Sequence, residues 1–197
     1  MNTESHWPLT EPTTATEVAD HVFALFAERG GSYYDEVVTQ TQHAVQSAAL
    51  ADAENAGAAM TVAALLHDIG HLVVDEHNNQ DDFLDENEKH ELVAATVLSH
   101  WFPPSVTSPI ALHVAAKRYL VATDPSYVDG LSQASVQSLL VQGGPMSPEE
   151  VVKFRRLRRA DDACRLRRWD DGAKIPNRHV PPLEHYRERL ESLVAFR

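Results

Sequence analysis

The segment AALLHDIGHLV, residues 63–73, joins an aliphatic run to three side chains that can bind a metal ion. His67, Asp68 and His71 follow the run within five residues. Burying adjacent ionisable groups behind aliphatic residues costs several kcal/mol unless the groups are paired or bound to a metal. An aliphatic helix needs no imidazole or carboxylate in order to pack, so the segment indicates a metal site.

Further histidines and an aspartate extend this pattern along the chain. The candidate ligands, in order, are His43, His67, Asp68, His90, His113 and Asp170. A mixture of imidazole and carboxylate suits Fe, Mn or Zn, whereas sites made only of oxygen favour Mg or Ca. Six such ligands are enough for two ions, with Asp68 able to bridge them. Two bridged ions can share, polarise or activate an exogenous ligand. Taken alone, His43 would be an ordinary core residue and His90 an ordinary surface residue, so the prediction depends on the whole set.

The elements that must position these side chains are helices, because apolar residues recur three and four apart along nearly the whole chain. We predict one all-α domain, a helical bundle over residues 1–197. Residues 1–13 form its lead-in, and the acidic residues 74–88 form a loop or lid. The predicted helices cover about 14–30, 34–55, 58–69, 88–101, 106–122 and 183–194, with further helix between Ser147 and Trp169.

Composition limits the function. The net charge of −12 argues against a general nucleic-acid binder, since phosphate contacts need a basic face. No apolar run approaches the roughly 20 residues of a membrane span. The N-terminus has no signal-peptide pattern, and the single cysteine, Cys164, fits a reducing cytoplasm. We therefore expect a cytoplasmic protein, and the sequence leaves its oligomeric state open.

The order and spacing of the ligands resemble the HD-domain superfamily of helical metalloproteins. Most members are phosphohydrolases, and a smaller branch consists of mixed-valent diiron oxygenases, including myo-inositol oxygenase and enzymes that oxidatively cleave 1-hydroxy-2-aminoethylphosphonates. From about residue 33 to residue 187 the chain is similar to the phosphonate branch. The most specific stretches are LLHDIGH, HVAAKRYLV, LVQGGPM and RRWDDGAK to PPLEHYR.

This resemblance implies roles for named residues. It implies that the six candidate ligands hold two irons, Fe(II) and Fe(III), and that O2 is the cosubstrate. Asp68 would bridge, His43 and Asp170 would help to hold one iron, and His90 and His113 would hold the other. Tyr33 would occupy an iron until substrate displaces it, with support from Glu36. Tyr34 is the alternative residue for that role. Glu36 would also share a helix face with His43.

Cationic residues would hold the substrate, an organophosphonate of low molecular weight. A phosphonate dianion needs fixed cations and hydroxyls. Lys117 lies one turn after His113, and Arg167 lies three residues before Asp170, so both share a helix face with a candidate ligand. The resemblance selects the same two residues and adds His71 and Ser135.

The head group of the substrate is predicted from the acidic segment 74–88. Carboxylates and aromatic faces hold quaternary ammonium groups, and this segment carries four acidic residues around Phe83. We therefore expect cleavage of 1-hydroxy-2-(trimethylammonio)ethylphosphonate to glycine betaine and phosphate. The alternatives are 2-amino-1-hydroxyethylphosphonate, giving glycine, and an HD-type metal-dependent phosphohydrolase. A non-catalytic metal-binding module would leave Lys117, Arg167 and His71 without a purpose.

Overall fold

The structure, a computed structural model, describes residues 7–8, 10–33, 37–74 and 89–196. These residues form α-helices and no strand beyond one isolated bridge between Tyr33 and Thr39, which confirms the all-α prediction. None of these helices combines the length and the apolar character that a membrane crossing needs. The helices are α1 (Ala15–Arg29), α2 (Gln40–Ala53), α3 (Ala58–Leu66), α4 (Ile69–Val74), α5 (His90–Leu98), α6 (Pro104–Thr123), α7 (Pro125–Val128), α8 (Gln133–Val141), α9 (Pro148–Phe154), α10 (Ala160–Gly172) and α11 (Arg187–Leu193).

Helix α2 begins later than the sequence predicted. Its N-cap is Thr39, whose hydroxyl accepts from the backbone N–H of Gln42, while the Gln42 side chain accepts from the backbone N–H of Thr39. This capping box satisfies two backbone donors and fixes the helix start at Gln40. The prediction that α2 begins near residue 34 is therefore wrong. Glu36 precedes the cap, so the argument that it shares a helix face with His43 fails.

The predicted helix at 58–69 is divided at the site. Helix α3 ends at Leu66, the pair His67-Asp68 forms a turn, and α4 starts at Ile69. Both ionisable residues therefore lie at a junction between two helices. Arg29, at the end of α1, donates a 2.8 Å hydrogen bond to the carbonyl of Leu72 in α4 and ties these two helices together.

Other boundaries differ by a few residues. Helix α5 begins at His90 and ends at Leu98, so His100 lies beyond it. Ser147 caps α9, with Glu150 completing the predicted capping box. Helix α10 continues past Trp169 to Gly172, which places Asp170 inside the helix. A 3₁₀ turn at Leu183–Tyr186 precedes the last helix.

The main core lies among α1 to α6, α10 and α11. Helices α3 and α10 pack against each other and against both α2 and α6, while α5 packs against α4 and α6. Buried aliphatic and aromatic side chains fill this core, including Leu65, Leu66, Ile110, Leu166 and Tyr186. Their burial removes water from the surroundings of the ionisable groups and rigidifies the helices that carry them.

Candidate metal centre

The structure brings the six candidate ligands together from separate elements. One group of potential metal-binding atoms consists of His43, His67, Asp68 and Asp170, and a second consists of Asp68, His90 and His113. Within each group the atoms lie within 4.8 Å of one another. All six side chains are buried except that of His90, which is partly buried. Asp68 belongs to both groups.

The two oxygens of Asp68 face different pairs of histidines. Its Oδ2 lies 3.1 Å from His67 Nε2 and 3.5 Å from His43 Nε2. Its Oδ1 lies 3.3 Å from His90 Nε2 and 3.4 Å from His113 Nε2. One carboxylate therefore stands between two pairs of imidazoles, the arrangement that a bridging ligand requires.

Backbone carbonyls fix which nitrogen of each imidazole faces the centre. In His43, Nδ1 lies 3.1 Å from the carbonyl oxygen of Ala173. In His67, Nδ1 lies 2.9 Å from the carbonyl oxygen of Ala64. Because a carbonyl can only accept, these Nδ1 atoms carry the proton, and a neutral ring then presents the lone pair of Nε2. His113 follows the same pattern, with Nδ1 2.8 Å from the carbonyl of Ile110. Metal-binding histidines typically have such a partner on the second nitrogen.

In each pair of histidines the two Nε2 atoms face each other at short distance, and a bound metal would explain this arrangement. Nε2 of His43 lies 3.2 Å from Nε2 of His67, and Nε2 of His90 lies 3.3 Å from Nε2 of His113. Two lone pairs at this distance repel unless a proton or a cation lies between the rings. Neither oxygen of Asp68 accepts a well-formed hydrogen bond from the residues that the structure describes. The donor set and its geometry fit a dinuclear metal centre.

The pKa values show how strongly the ionisable groups interact. Burial alone would lower the pKa of His67, but the adjacent Asp68 carboxylate outweighs it and raises that pKa to about 9. Burial and the neighbouring His71 lower the pKa of His90 to about 3. Although burial opposes it, the surrounding histidines hold the pKa of Asp68 well below its usual range. At neutral pH, without a metal, Asp68 is therefore anionic and His90 is neutral, the forms that bind metal, whereas His67 is protonated and would release its proton when a metal binds.

A cationic cluster lies beside this centre. The buried Arg167 places Nη1 2.7 Å from Asp170 Oδ2 and Nη2 3.4 Å from Ser135 Oγ. Lys117 is also buried, and its Nζ donates a 2.7 Å hydrogen bond to Ser138 Oγ. Burial, followed by repulsion from Arg167, lowers the pKa of Lys117 to about 7. The two predicted cations and the predicted serine therefore lie in one cluster.

Four members of this cluster were not predicted from the sequence. Lys174 donates a 3.0 Å hydrogen bond to Ser135 Oγ and lies 3.9 Å from Asp170 Oδ1. Asp171 binds the guanidinium of Arg167. Both could have been found by spacing, because Lys174 is four residues after Asp170 and Asp171 is four residues after Arg167. Tyr127 and Ser138 lie on α7 and α8, whose placement the sequence pattern did not indicate.

The remaining predicted residues have different positions. His71 is buried, and its ring stacks on that of His90 with centroids 3.8 Å apart, so it supports a candidate ligand directly. Tyr33 is 68% exposed and is not enclosed with the six candidate ligands. Glu36, Tyr34 and most of the predicted loop or lid at 74–88 lie outside the described residues. The roles predicted for them stay predictions.

Comparison with known proteins assigns the chain to a family. The HD domain family matches residues 41–150. The chain is 46% identical over 181 residues, 92% of its length and 90% of the relative's, to hydroxymethylphosphonate dioxygenase of Gimesia maris. Over 179 residues, 90% of each chain, it is 36% identical to the glycine-betaine-forming 1-hydroxy-2-(trimethylamino)ethylphosphonate dioxygenase of Leisingera caerulea.

A helical bundle with a buried His/Asp centre suited to two metals defines the class of this protein. The chain belongs to the HD domain family, in the branch that contains these phosphonate dioxygenases, and it is an enzyme of the oxygenase class. The resemblance predicted from the sequence is therefore confirmed.

Proposed function

We propose that the chain is a diiron oxygenase that uses O2 to cleave the C–P bond of a 1-hydroxyalkylphosphonate. The observation that carries this proposal is the position of the Asp68 carboxylate, with one oxygen toward each pair of histidines. Its support comes from the two oxygenase relatives. His43, His67 and Asp170 would hold one iron, His90 and His113 would hold the other, and Asp68 would be shared between them. The iron pair supplies redox chemistry and positive charge, while the protein supplies geometry and orientation.

The cationic cluster is the proposed site for the phosphonate group. Lys117, Arg167 and the hydroxyl of Ser135 offer the charge and the hydrogen-bond donors that a tetrahedral dianion requires. Arg167 and Asp170 lie 2.7 Å apart, so a phosphonate held by the guanidinium is also next to the metal centre. His71, which stacks on His90, is the fourth member of the proposed set.

The reaction balances with one O2 for each phosphate. Hydroxymethylphosphonate and O2 contain the atoms of formate and dihydrogen phosphate, so the carbon loses its bond to phosphorus and is oxidised to the carboxylate level. With 1-hydroxy-2-(trimethylammonio)ethylphosphonate the same change gives glycine betaine. In both compounds the carbon that is oxidised carries a hydroxyl group and the phosphonate group. One site can therefore bind either compound.

Hydroxymethylphosphonate is the first candidate for the substrate. The relative that is named for this compound is 46% identical to the chain, against 36% for the relative that is named for the trimethylamino compound. The second candidate is the trimethylammonio compound that the acidic segment predicted, and the primary amine follows it. The acidic segment lies almost wholly outside the described residues. The order of the candidate substrates therefore follows the sequence identities of the relatives.

The experiment is a comparison of the three phosphonates under identical conditions. Iron-loaded protein is mixed with each compound in air, and kcat/KM is measured from oxygen uptake and from phosphate release by phosphorus NMR. We expect the highest value for hydroxymethylphosphonate and equal amounts of O2 consumed and phosphate formed. A phosphate monoester is the control. Its rapid hydrolysis, with no cleavage of any phosphonate, would replace the proposal with a phosphohydrolase.

Tyr33 and Glu36 are proposed to restrain the reaction of O2 before substrate binds. Tyr33 is on the surface in this structure, so this role requires that its segment move toward the irons. Glu36→Ala is expected to retain both irons and to consume O2 faster in the absence of substrate. Oxygen uptake equal to that of the unaltered protein would remove Glu36 from this role.

A further inference from the structure

Arg167 is held by a carboxylate that is not one of the six candidate ligands. Its Nε donates a 3.0 Å hydrogen bond to Asp171 Oδ2, and its Nη2 donates to Asp171 Oδ1. Such a two-point contact fixes both the position and the plane of the guanidinium. The third nitrogen, Nη1, lies on the other edge and faces Asp170. This two-point contact with Asp171 thus determines which edge of the Arg167 guanidinium is directed to the metal centre.

Tyr127 and Ser135 complete the surroundings of Asp171. The hydroxyl of Tyr127 donates to Asp171 Oδ2 and also lies 3.2 Å from Arg167 Nε. Ser135 Oγ lies 3.4 Å from Asp171 Oδ1. Tyr127 is buried, and burial raises the pKa of its phenol above the usual range, so the hydroxyl keeps its proton and remains a donor. Asp171 is therefore held by α7 and α8 as well as by its own helix.

The charges explain why Arg167 needs this partner. A metal ion bound to Asp170 would draw on the same carboxylate that Nη1 of Arg167 contacts. Asp171 would then be the remaining counter-ion for a buried guanidinium, and burial of an unpaired charge is costly. Since Asp171 already neutralises Arg167, the guanidinium contributes directed hydrogen bonds to an incoming dianion more than it contributes net charge.

We infer that Asp171 is a positioning residue which, with Tyr127, orients Arg167 to bind the tetrahedral oxyanion of the substrate. The inference rests on the proposed function, in which Arg167 binds the phosphonate. Asp171 acts through Arg167 and does not touch the substrate. Tyr127 acts one step further out, by fixing Asp171. Removing either group should therefore weaken substrate binding while the metal centre stays intact.

The test is a double-mutant cycle on the iron-loaded protein. The variants are Asp171→Asn, Arg167→Lys and the double variant, with hydroxymethylphosphonate and the trimethylammonio compound as substrates. Lysine cannot form the two-point contact, so Asp171 should matter only when Arg167 is present. We expect Asp171→Asn to raise KM about 10-fold with kcat changed less than about twofold, and to change KM by less than about twofold in the Arg167→Lys background.

Two further variants separate positioning from stability. Tyr127→Phe removes one hydroxyl and should raise KM by about threefold with the same iron content. If Asp171→Asn does not fold, this variant provides the test of positioning. Asp162→Asn is the matched control, because Asp162 lies in the first turn of α10 and pairs with Arg159 at 2.8 Å. It should leave KM unchanged.

The possible failures are distinguishable. If the unaltered protein cleaves neither phosphonate, the proposed function fails. If it cleaves one of them but Asp171→Asn and Tyr127→Phe keep its KM, the positioning role is wrong. An equal effect of Asp171→Asn with and without Arg167 would also overturn it, since that result indicates a structural effect.

Discussion

Gly70 packs directly against the backbone of His90. A methyl group on the Cα of Gly70 would lie 2.8 Å from the carbonyl carbon of His90 and closer still to its oxygen. The missing side chain lets α4 approach the first turn of α5, and this approach brings His90 Nε2 to 3.3 Å from Asp68 Oδ1. Gly70 is not itself a ligand, but its lack of a side chain allows the second group of candidate ligands to come together.

Gly70→Ala is therefore expected to displace His90. The clash is with backbone, which cannot turn away as a side chain can, so we expect a loss of about 1–3 kcal/mol in the free energy of unfolding. The iron content should fall from two ions per chain toward one. Gly31→Ala is the control, because a Cβ there meets no described heavy atom within 4 Å. Retention of two irons in Gly70→Ala would contradict this account of the packing.

Asp68→Asn should cost the protein both ions. The carboxylate faces both pairs of histidines, and an amide offers neither its charge nor two equivalent oxygens. His113→Ala, by contrast, removes a ligand from one group only and should leave one ion bound. Metal analysis after gel filtration measures both. If Asp68→Asn kept two ions while His113→Ala lost one, Asp68 would not bridge.

Lys174 is expected to contribute to binding of the phosphonate. Its Nζ donates to the same hydroxyl, Ser135 Oγ, that lies 3.4 Å from Arg167 Nη2. Lys174→Met should raise KM for the phosphonate about 10-fold, the usual effect of losing a charged hydrogen bond, and should leave the iron content unchanged. Lys153→Met, an exposed position on α9, is the control. Equal KM values for the two variants would exclude Lys174 from the site.

The buried Lys117 should make stability depend on pH in the metal-free protein. Its pKa is about 7 in the folded state and about 10.5 in the unfolded chain, so between these values the unfolded chain binds one more proton. Stability that depends on Lys117 therefore rises with pH over this window, by at most about 1.4 kcal/mol per pH unit.

The measurement is urea unfolding at pH 7, 8 and 9, with Lys117→Met for comparison. The variant lacks the titrating group, so its advantage over the unaltered protein should be largest at pH 7 and should shrink as the pH rises. A constant difference between the two proteins across these pH values would show that burial does not lower the pKa of Lys117.

The ligands could be predicted from the sequence as a set, because four histidines and two aspartates on successive helical segments are specific where no single member is. The structure brings the same six residues together. The start of α2 was missed because Thr39 and Gln42 form a capping box within a region that reads as continuous helix. Capping is a local hydrogen-bond preference and can override a periodic pattern.

The surroundings of Arg167 were harder to predict. Asp170 and Asp171 lie three and four residues after Arg167, so both lie on its side of the helix. Spacing alone does not show which of the two pairs with which nitrogen. Tyr127 and Ser138 come from short helices, and only the folded chain shows that these helices pack beside the site.

We propose that this protein needs O2 to cleave a C–P bond. The most direct measurement is phosphorus NMR of iron-loaded protein with hydroxymethylphosphonate, in matched samples under air and under argon, with O2 uptake recorded in parallel. We predict phosphate in air only, at one O2 consumed for each phosphate formed. Equal phosphate under argon would contradict the claim and would identify the centre as hydrolytic.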